Sequence, residues 1–488
     1  MRIIKKFPRI IAAIYAIVLF YVNFIRIFDE ALWLDEAFTG NIIKQNIPGL
    51  LQTTANDVHP PLYYLITKAF CAVVGEHGWS LHLVSIVPLA VLLVFSLTVI
   101  WDKFGAEAAL IVMTFTSISD AALRFNVEIR MYSWAAMLVF FSYYCFYNIM
   151  IENRIRDWLL FSVFSLAAAY THYYALIAVA FFYAFLFFRC VLKRKDIKRI
   201  LIIILVAIVV YLPWLIVLIN SLTARINNYW ISENSTFSDC FNFIVSYKFT
   251  LGIWLIMITM LVIAILYEVR ILQWEKDEDI SVPYIAGYHL LISKKPEMSV
   301  LVPFIAAGLI SVVGTMAVGI GISALLSPFF VTRYIYVVCP VAWLVLGVAF
   351  SRMKLGHVWV AIFLVYSIVS FIPSYKAIYY EDLDISNRTN MVRGIVANMD
   401  EDDVIITDFE DLTMPNYYFS GKKYEVVLDI NELKIPDDGK NYWLLVGDAW
   451  SYDDIAGKLA EQGIGCETIL DYGLLGHTKI LGYRCIRQ

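Results

Sequence analysis

The sequence predicts a mainly α-helical, polytopic membrane protein that ends in a small α/β domain. Of its 488 residues, 60% are hydrophobic and only 16% charged, and the mean hydropathy is +0.70, too apolar for the surface of a soluble globule of this length. Runs of roughly 20 apolar residues, enough to cross a hydrocarbon core of ~30 Å, recur from Arg9 to about Ser374. From about Tyr380 the chain turns acidic and alternates short β-branched runs with turn residues, as an aqueous domain does.

The apolar runs place spans near residues 9–28, 80–101, 106–122, 133–150, 157–170, 173–190, 200–219, 250–269, 299–325, 334–350 and 357–374, about eleven in all. The first is read as an uncleaved helix, because its apolar stretch is too long for a secretory signal and lacks a small-residue cleavage site. Leu62–Val74 is too short to span and is assigned to the outer interface. If it crossed, the basic run Arg189 to Arg199 would face outward. With a cytoplasmic N-terminus the inner connections hold nineteen lysines and arginines. The outer ones before the terminal domain hold only Lys44, Lys68, Arg124, Arg130, Arg225, Lys248 and Arg333. This bias orients a multi-pass plasma-membrane protein with its C-terminal domain extracytoplasmic. The expected division is a transmembrane domain at 1–379, with its first outer loop at 29–79, and an extracytoplasmic domain at 380–488. Strands at Asp403–Thr407, Tyr424–Leu428 and Tyr442–Val446, with a helix at Asp453–Gln462, give the latter its α/β character.

The net charge of -4 says nothing about a nucleic-acid partner, and the sequence lacks the basic, aromatic-interleaved stripe that would suggest one, so that class is set aside. The seven cysteines lack CxxC spacing, so neither a zinc site nor a disulfide framework is indicated; whether Cys466 and Cys485 pair is left open by their spacing.

The residues suited to chemistry gather in the outer connections. The first loop holds Trp33-Leu34-Asp35-Glu36 and then Asp57-Val58-His59-Pro60-Pro61-Leu62-Tyr63-Tyr64. Carboxylates beside an apolar boundary are costly unless paired or used, although Asp57 ahead of a Pro-Pro helix start also suits a plain helix cap. Arg124-Phe125-Asn126-Val127-Glu128-Ile129-Arg130-Met131-Tyr132 then puts two arginines on the side where positive charge is scarce. An arginine pair suits phosphate, which guanidinium binds bidentately; an Arg124 to Glu128 pair at i,i+4 would account for one of the two. Tyr170-Thr171-His172-Tyr173-Tyr174 sets a histidine among tyrosines that an interfacial aromatic belt would also explain. The loop 221–250, with Arg225, Trp230, Glu233 and Asp239, reads equally as a cover for a lipid or sugar and as a solvated connection. Arg333-Tyr334 opens a late helix, where a snorkelling arginine is the bland alternative.

In this order the motifs, together with Leu212-Pro213-Trp214, resemble the GT-C glycosyltransferases of the protein O-mannosyltransferase and lipid A aminoarabinose transferase group, family 39-like, across about residues 9–374. The resemblance implies a GT-C-like helix bundle with interfacial helices, a polyprenyl-phosphate-linked sugar as donor, and transfer on the outer face of the membrane. It makes Asp35 the general base, Glu36 its neighbour in the site and Asp57 a third, acceptor-orienting acid. His59 stands where the aminoarabinose branch has a phosphate-binding lysine and the mannosyltransferase branch has histidine. The latter branch's glycine-lysine after Pro-Pro-Leu is replaced by Tyr63-Tyr64, and its β-trefoil insertion is missing, the loop 281–298 being too short.

The chemistry agrees with the resemblance. A hydroxyl attacking an anomeric carbon needs a base, worth about 10² to 10⁴-fold, and a departing phosphate needs positive charge more than an acid. His59, Arg124, Arg130 and Arg333 are assigned to the donor phosphate, and Tyr63, Tyr132, His172 and Tyr173 to substrate. A divalent metal on Asp35, Asp57 and His59 is an alternative to hydrogen bonding among them. The partners expected are the lipid bilayer, the lipid-linked donor, and a protein, lipid or glycan acceptor of the cell envelope. A lipid-linked sugar flippase or transporter is the rival class, yet it would place charge near the midplane within a repeat. A membrane-anchored binding protein working through its C-terminal domain is a third.

Overall fold

The computed structural model describes residues 2–28, 31–57, 59–225, 235–246, 272–276, 288–292, 298–325, 329–353, 356–436, 438–447, 450 and 455–486. Eight described helices are long and apolar enough to cross a membrane: Pro8–Phe28, Gly78–Phe104, Tyr132–Ile151, Tyr173–Leu192, Ile197–Ser221, Val300–Leu325, Thr332–Ser351 and Gly356–Ala397. The protein is therefore a multi-pass membrane protein. The span expected at 250–269 lies outside the described residues, as do Val58, Trp230, Glu233, Lys248 and the side chain of Arg225. Two other expected spans form helices shorter than these eight. Ala106–Ile118 stops because the Ser119 hydroxyl accepts the N–H of Ala122 and starts a new helix, Asp120–Phe125. Ile155–Ala169 has only 15 residues.

Lipid is written into the surface of these helices. Ile14, Ile17, Ile202, Leu205, Val209, Ile362, Val365 and Val369 remain exposed, a pattern that water would penalise. Inward-facing rings fill the bundle, including Tyr143, Phe146, Phe182 and Phe304, with Tyr143 stacked on Phe304 at 4.2 Å. In Leu62–Val74, too short to cross, Tyr63, Tyr64 and Thr67 are wholly buried, and the first N–H bonds to Tyr170 O at 3.0 Å.

Strands β1 (Leu272–Lys276) and β2 (Tyr288–Ile292) form a separate antiparallel pair. The C-terminal part holds β3 (Val404–Thr407), β4 (Lys423–Val426), β5 (Tyr442–Val446), β6 (Gly465–Leu475) and β7 (Thr478–Ile486), in the order β4-β3-β5-β7-β6. β3 runs parallel to β4 and β5, and β7 antiparallel to β5 and β6, with Cys466 opposite Cys485. The helix Gly356–Ala397 continues unbroken from the bundle through residue 380 into this part.

The C-terminal part docks on the first loop. The Tyr418 hydroxyl accepts the N–H of Leu32 at 2.7 Å and donates to Leu32 O at 2.8 Å. Asn41 donates to Thr413 O at 2.8 Å, and Gly40 gives the Tyr417 ring room that a Cβ would fill at 2.6 Å. Beneath them Arg26, from the end of the first helix, pairs with Asp382 at 2.9 Å and donates to Leu123 O. Tyr418→Phe leaves two buried backbone groups of Leu32 without their partner. A loss of about 1–3 kcal/mol is expected, visible as earlier thermal unfolding in detergent and faster proteolysis between the bundle and β3.

Candidate active site

The first-loop helix Leu34–Lys44 carries Asp35 and Glu36 in its first turn. Glu36 closes a capping box on Trp33 N at 3.4 Å, and its other oxygen accepts the N–H of Ile129 at 2.9 Å. Thr39 donates to Ile129 O at 3.0 Å, so one helix holds both polar groups of that residue. From the other side, the Asn126 amide donates to Thr116 O and accepts from the Tyr336 hydroxyl, each at 2.8 Å. The loop between these anchors has little freedom to move, and Arg130 projects from it.

Arg130 is 3% exposed. It donates to Asp35 O at 3.2 Å, and its Nε lies 4.0 Å from Asp35 Oδ2. Arg333, from the turn that opens the Thr332–Ser351 span, brings an NH1 to 3.6 Å from the same oxygen. One carboxylate thus faces two guanidiniums, Arg130 and Arg333, that come from distant parts of the chain.

A cluster of rings adjoins the pair. His172 lies 5.3 Å from His59, 5.7 Å from Tyr132 and 5.5 Å from Tyr334, centroid to centroid. Its Nδ1 accepts the N–H of Tyr174 at 3.1 Å, so the ring proton is on Nε2, an enclosed atom with no hydrogen-bond partner among the described residues. Burial, and then the charges of Arg130 and Arg333, push the His172 pKa down to about 3. The ring is a neutral donor at ordinary pH.

The other expected residues fall into three places. Asp57 is half-buried and near enough to Arg130 and Tyr64 for its charge to act on both. Arg124 is largely exposed and pairs with Glu381 at 4.0 Å, so the anticipated Arg124 to Glu128 pair is replaced by a long-range one. Tyr63 is fully buried within reach of the charge of Arg130, with its hydroxyl on Ser85 at 2.9 Å, and Tyr173 accepts from Trp214 Nε1 at 3.2 Å in a separate aromatic cluster. Their neighbours Tyr64 and Tyr174 are buried. Tyr64 lies toward Arg130, and Tyr174 stacks on Tyr334 at 5.0 Å.

A cavity of about 340 Å³ opens beside Arg333 and Glu36, between the bundle, the helix Gly356–Ala397 and the β6–β7 turn. Glu128 lines it, with its Oε1 enclosed and no hydrogen-bond partner among the described residues. Burial first, and then the charge of Glu36, push its carboxyl up to about 8, against the opposing pull of Arg333 and Arg130.

The sequence profile of the dolichyl-phosphate-mannose-protein mannosyltransferase family matches residues 58–217, a stretch that contains His59, Arg130 and His172. Among proteins of curated function, none matches the chain in sequence. In overall structure the chain is similar to ArnT from Cupriavidus metallidurans in the apo state, with a TM-score of 0.54, 12% identity and 97% of each chain covered. It is also similar to the same protein bound to undecaprenyl phosphate, with a TM-score of 0.53, 13% identity and 98% of each chain covered. The chain has the fold of ArnT.

Among the described residues no three His, Cys, Asp or Glu side chains are grouped to hold a metal ion, Asp35, Asp57 and His59 included. The charges near Asp35 are those of guanidinium groups. Four residues around the arginine pair and the adjoining cavity were given no role from the sequence. Arg26 sits in the last turn of an apolar helix; Glu128 and Tyr334 stood beside residues that were singled out. His477, in a β-turn of the remote C-terminal part, left no local signal.

The Glu128 carboxyl, ordinarily near 4.5, has its folded-state pKa raised. The stability it contributes is complete below about 4.5 and is lost as the pH rises through about 8. The thermal midpoint of the wild-type protein in detergent is expected to fall between pH 5 and 9, and Glu128→Gln to flatten that fall.

Proposed function

We propose that the protein is an integral membrane glycosyltransferase that moves a sugar from a polyprenyl-phosphate donor to an acceptor hydroxyl on the outer face of the membrane. The observation that carries this reading is the convergence of Arg130 and Arg333 on Asp35, within 4.0 Å, at the end of the bundle covered by the C-terminal part. Two guanidiniums side by side suit a phosphate leaving group. The carboxylate between them suits the removal of a proton from the attacking hydroxyl.

In this reading Asp35 takes the acceptor's proton as its oxygen bonds to the anomeric carbon, while the bond from that carbon to the phosphate oxygen breaks. Arg130 and Arg333 receive the developing charge, and His172 donates from Nε2 without adding charge. A single displacement by one base inverts the anomeric configuration. Glu36 acts through position, since it holds Ile129 and hence Arg130. Asp57 and His59 complete the polar wall, and Arg124 lies at the rim.

The lipid chain of the donor fits an apolar groove of about 300 Å³ lined by Leu166, Leu176, Val179, Ile204 and Ile208. The excess of basic residues in the opposite connections supports a plasma-membrane orientation with the N-terminus cytoplasmic and the C-terminal part extracytoplasmic. The acceptor is a protein, lipid or glycan of the cell envelope.

Asp35→Asn is expected to lower transfer from polyprenyl-phosphate mannose, or from the corresponding pentosyl donor, by at least ~10²-fold while the protein remains folded. Arg333→Ala is expected to weaken the donor's KM and kcat together. Mass analysis of envelope glycans from cells carrying either variant reads the product directly. Wild-type glycan levels with Asp35→Asn would remove Asp35 from the role of base.

A further inference from the structure

The cavity beside the reaction centre is closed by a part of the chain far from the bundle. β6 and β7 are joined by a two-residue turn, Gly476-His477. Gly476 adopts φ +55, as the first position of a tight hairpin turn of the primed kind does. It lies so close to the first loop that a Cβ there would meet Trp33 Cα at 2.5 Å. His477, exposed on the other side, sets its ring edge-on to Trp33 with centroids 6.2 Å apart. The turn therefore forms one wall of the cavity and Trp33 the adjoining one.

The charges lining this space are balanced. Two of its arginines are paired with carboxylates that also line it, Arg26 with Asp382 at 2.9 Å and Arg124 with Glu381 at 4.0 Å, while Arg333 turns to Asp35, outside the lining, at 3.6 Å. Cations paired within the lining make the cavity a poor trap for an anion. It does offer what an uncharged polyol needs: an aromatic face beside several fixed hydrogen-bonding groups. One of those groups is already waiting, because Glu128 Oε1 is enclosed without a hydrogen-bond partner among the described residues. A buried oxygen left in that state is unfavourable until something fills its place. The volume of about 340 Å³ falls in the ~300–1,000 Å³ range of small-molecule sites.

We propose that this cavity is a carbohydrate subsite, formed by Trp33, Glu128 and Arg333 and closed by His477 of the C-terminal hairpin. It holds an uncharged sugar ring next to Asp35, either the sugar of the lipid-linked donor or a sugar of the acceptor. This inference rests on the transferase reading above, and it makes the C-terminal part a component of the specificity apparatus.

The test uses the full-length protein in lipid nanodiscs, with polyprenyl-phosphate mannose and the sugar-free polyprenyl phosphate as binding probes. The variants are His477→Ala, whose exposed position spares the fold, and the isosteric Glu128→Gln, each checked by thermal unfolding. If the ring is the donor's, wild type binds the mannosyl lipid more tightly than the bare lipid. Each variant then lowers that preference by about 3–10-fold, the worth of one or two hydrogen bonds, with bare-lipid binding unchanged. If the ring is the acceptor's, both lipids bind the variants as they bind wild type, while envelope glycan made by cells expressing them at equal levels falls by a similar factor. Variants that match wild type in donor preference and in glycan yield overturn the subsite. Failure of the transferase reading is distinguishable: the wild-type protein would then neither bind polyprenyl phosphate nor alter the glycans of its host.

Discussion

Two guanidiniums set against one carboxylate at the boundary of a lipid-facing bundle form the constraint on which the rest of the structure depends. Arg130 is almost wholly removed from solvent, and Arg333 approaches the same oxygen of Asp35. Like charges at this range repel strongly wherever the effective dielectric is low, and a buried cation without a partner destabilises a fold by several kcal/mol. Asp35 and the nearby Asp57 offset that repulsion. Glu128 shows where the compensation ends: burial, and then the charge of the neighbouring Glu36, push its carboxyl up to about 8.

Holding that balance requires the loop carrying Arg130 to be fixed from several sides. Glu36 and Thr39 take both polar groups of Ile129, and Asn126 bridges Thr116 and Tyr336. The helix bearing Asp35 is itself fixed from outside the bundle, because Tyr418 bonds both the N–H and the C=O of Leu32 just ahead of it. The Arg26–Asp382 pair beneath this contact ties the first helix to the long Gly356–Ala397 helix. Elements from the beginning, middle and end of the chain thus act together on one carboxylate, which explains why residues so far apart in sequence share a site.

The spans were legible because twenty apolar residues have one simple use, and the charged residues at one end of the bundle stood out because their surroundings make them costly. Helical phase was less legible. Tyr173 was favoured over Tyr174, yet one step along a helix turns a side chain by about 100°, and it is Tyr174 that is buried against Tyr334. Pair partners were also obscure: i,i+4 spacing suggested Glu128 for Arg124, whereas tertiary packing delivers Glu381. Strands β6 and β7 escaped notice because Glu467, Asp471 and Gly473 interrupt the alternation that marks a strand, and register shifts accompany that stretch. With them went His477.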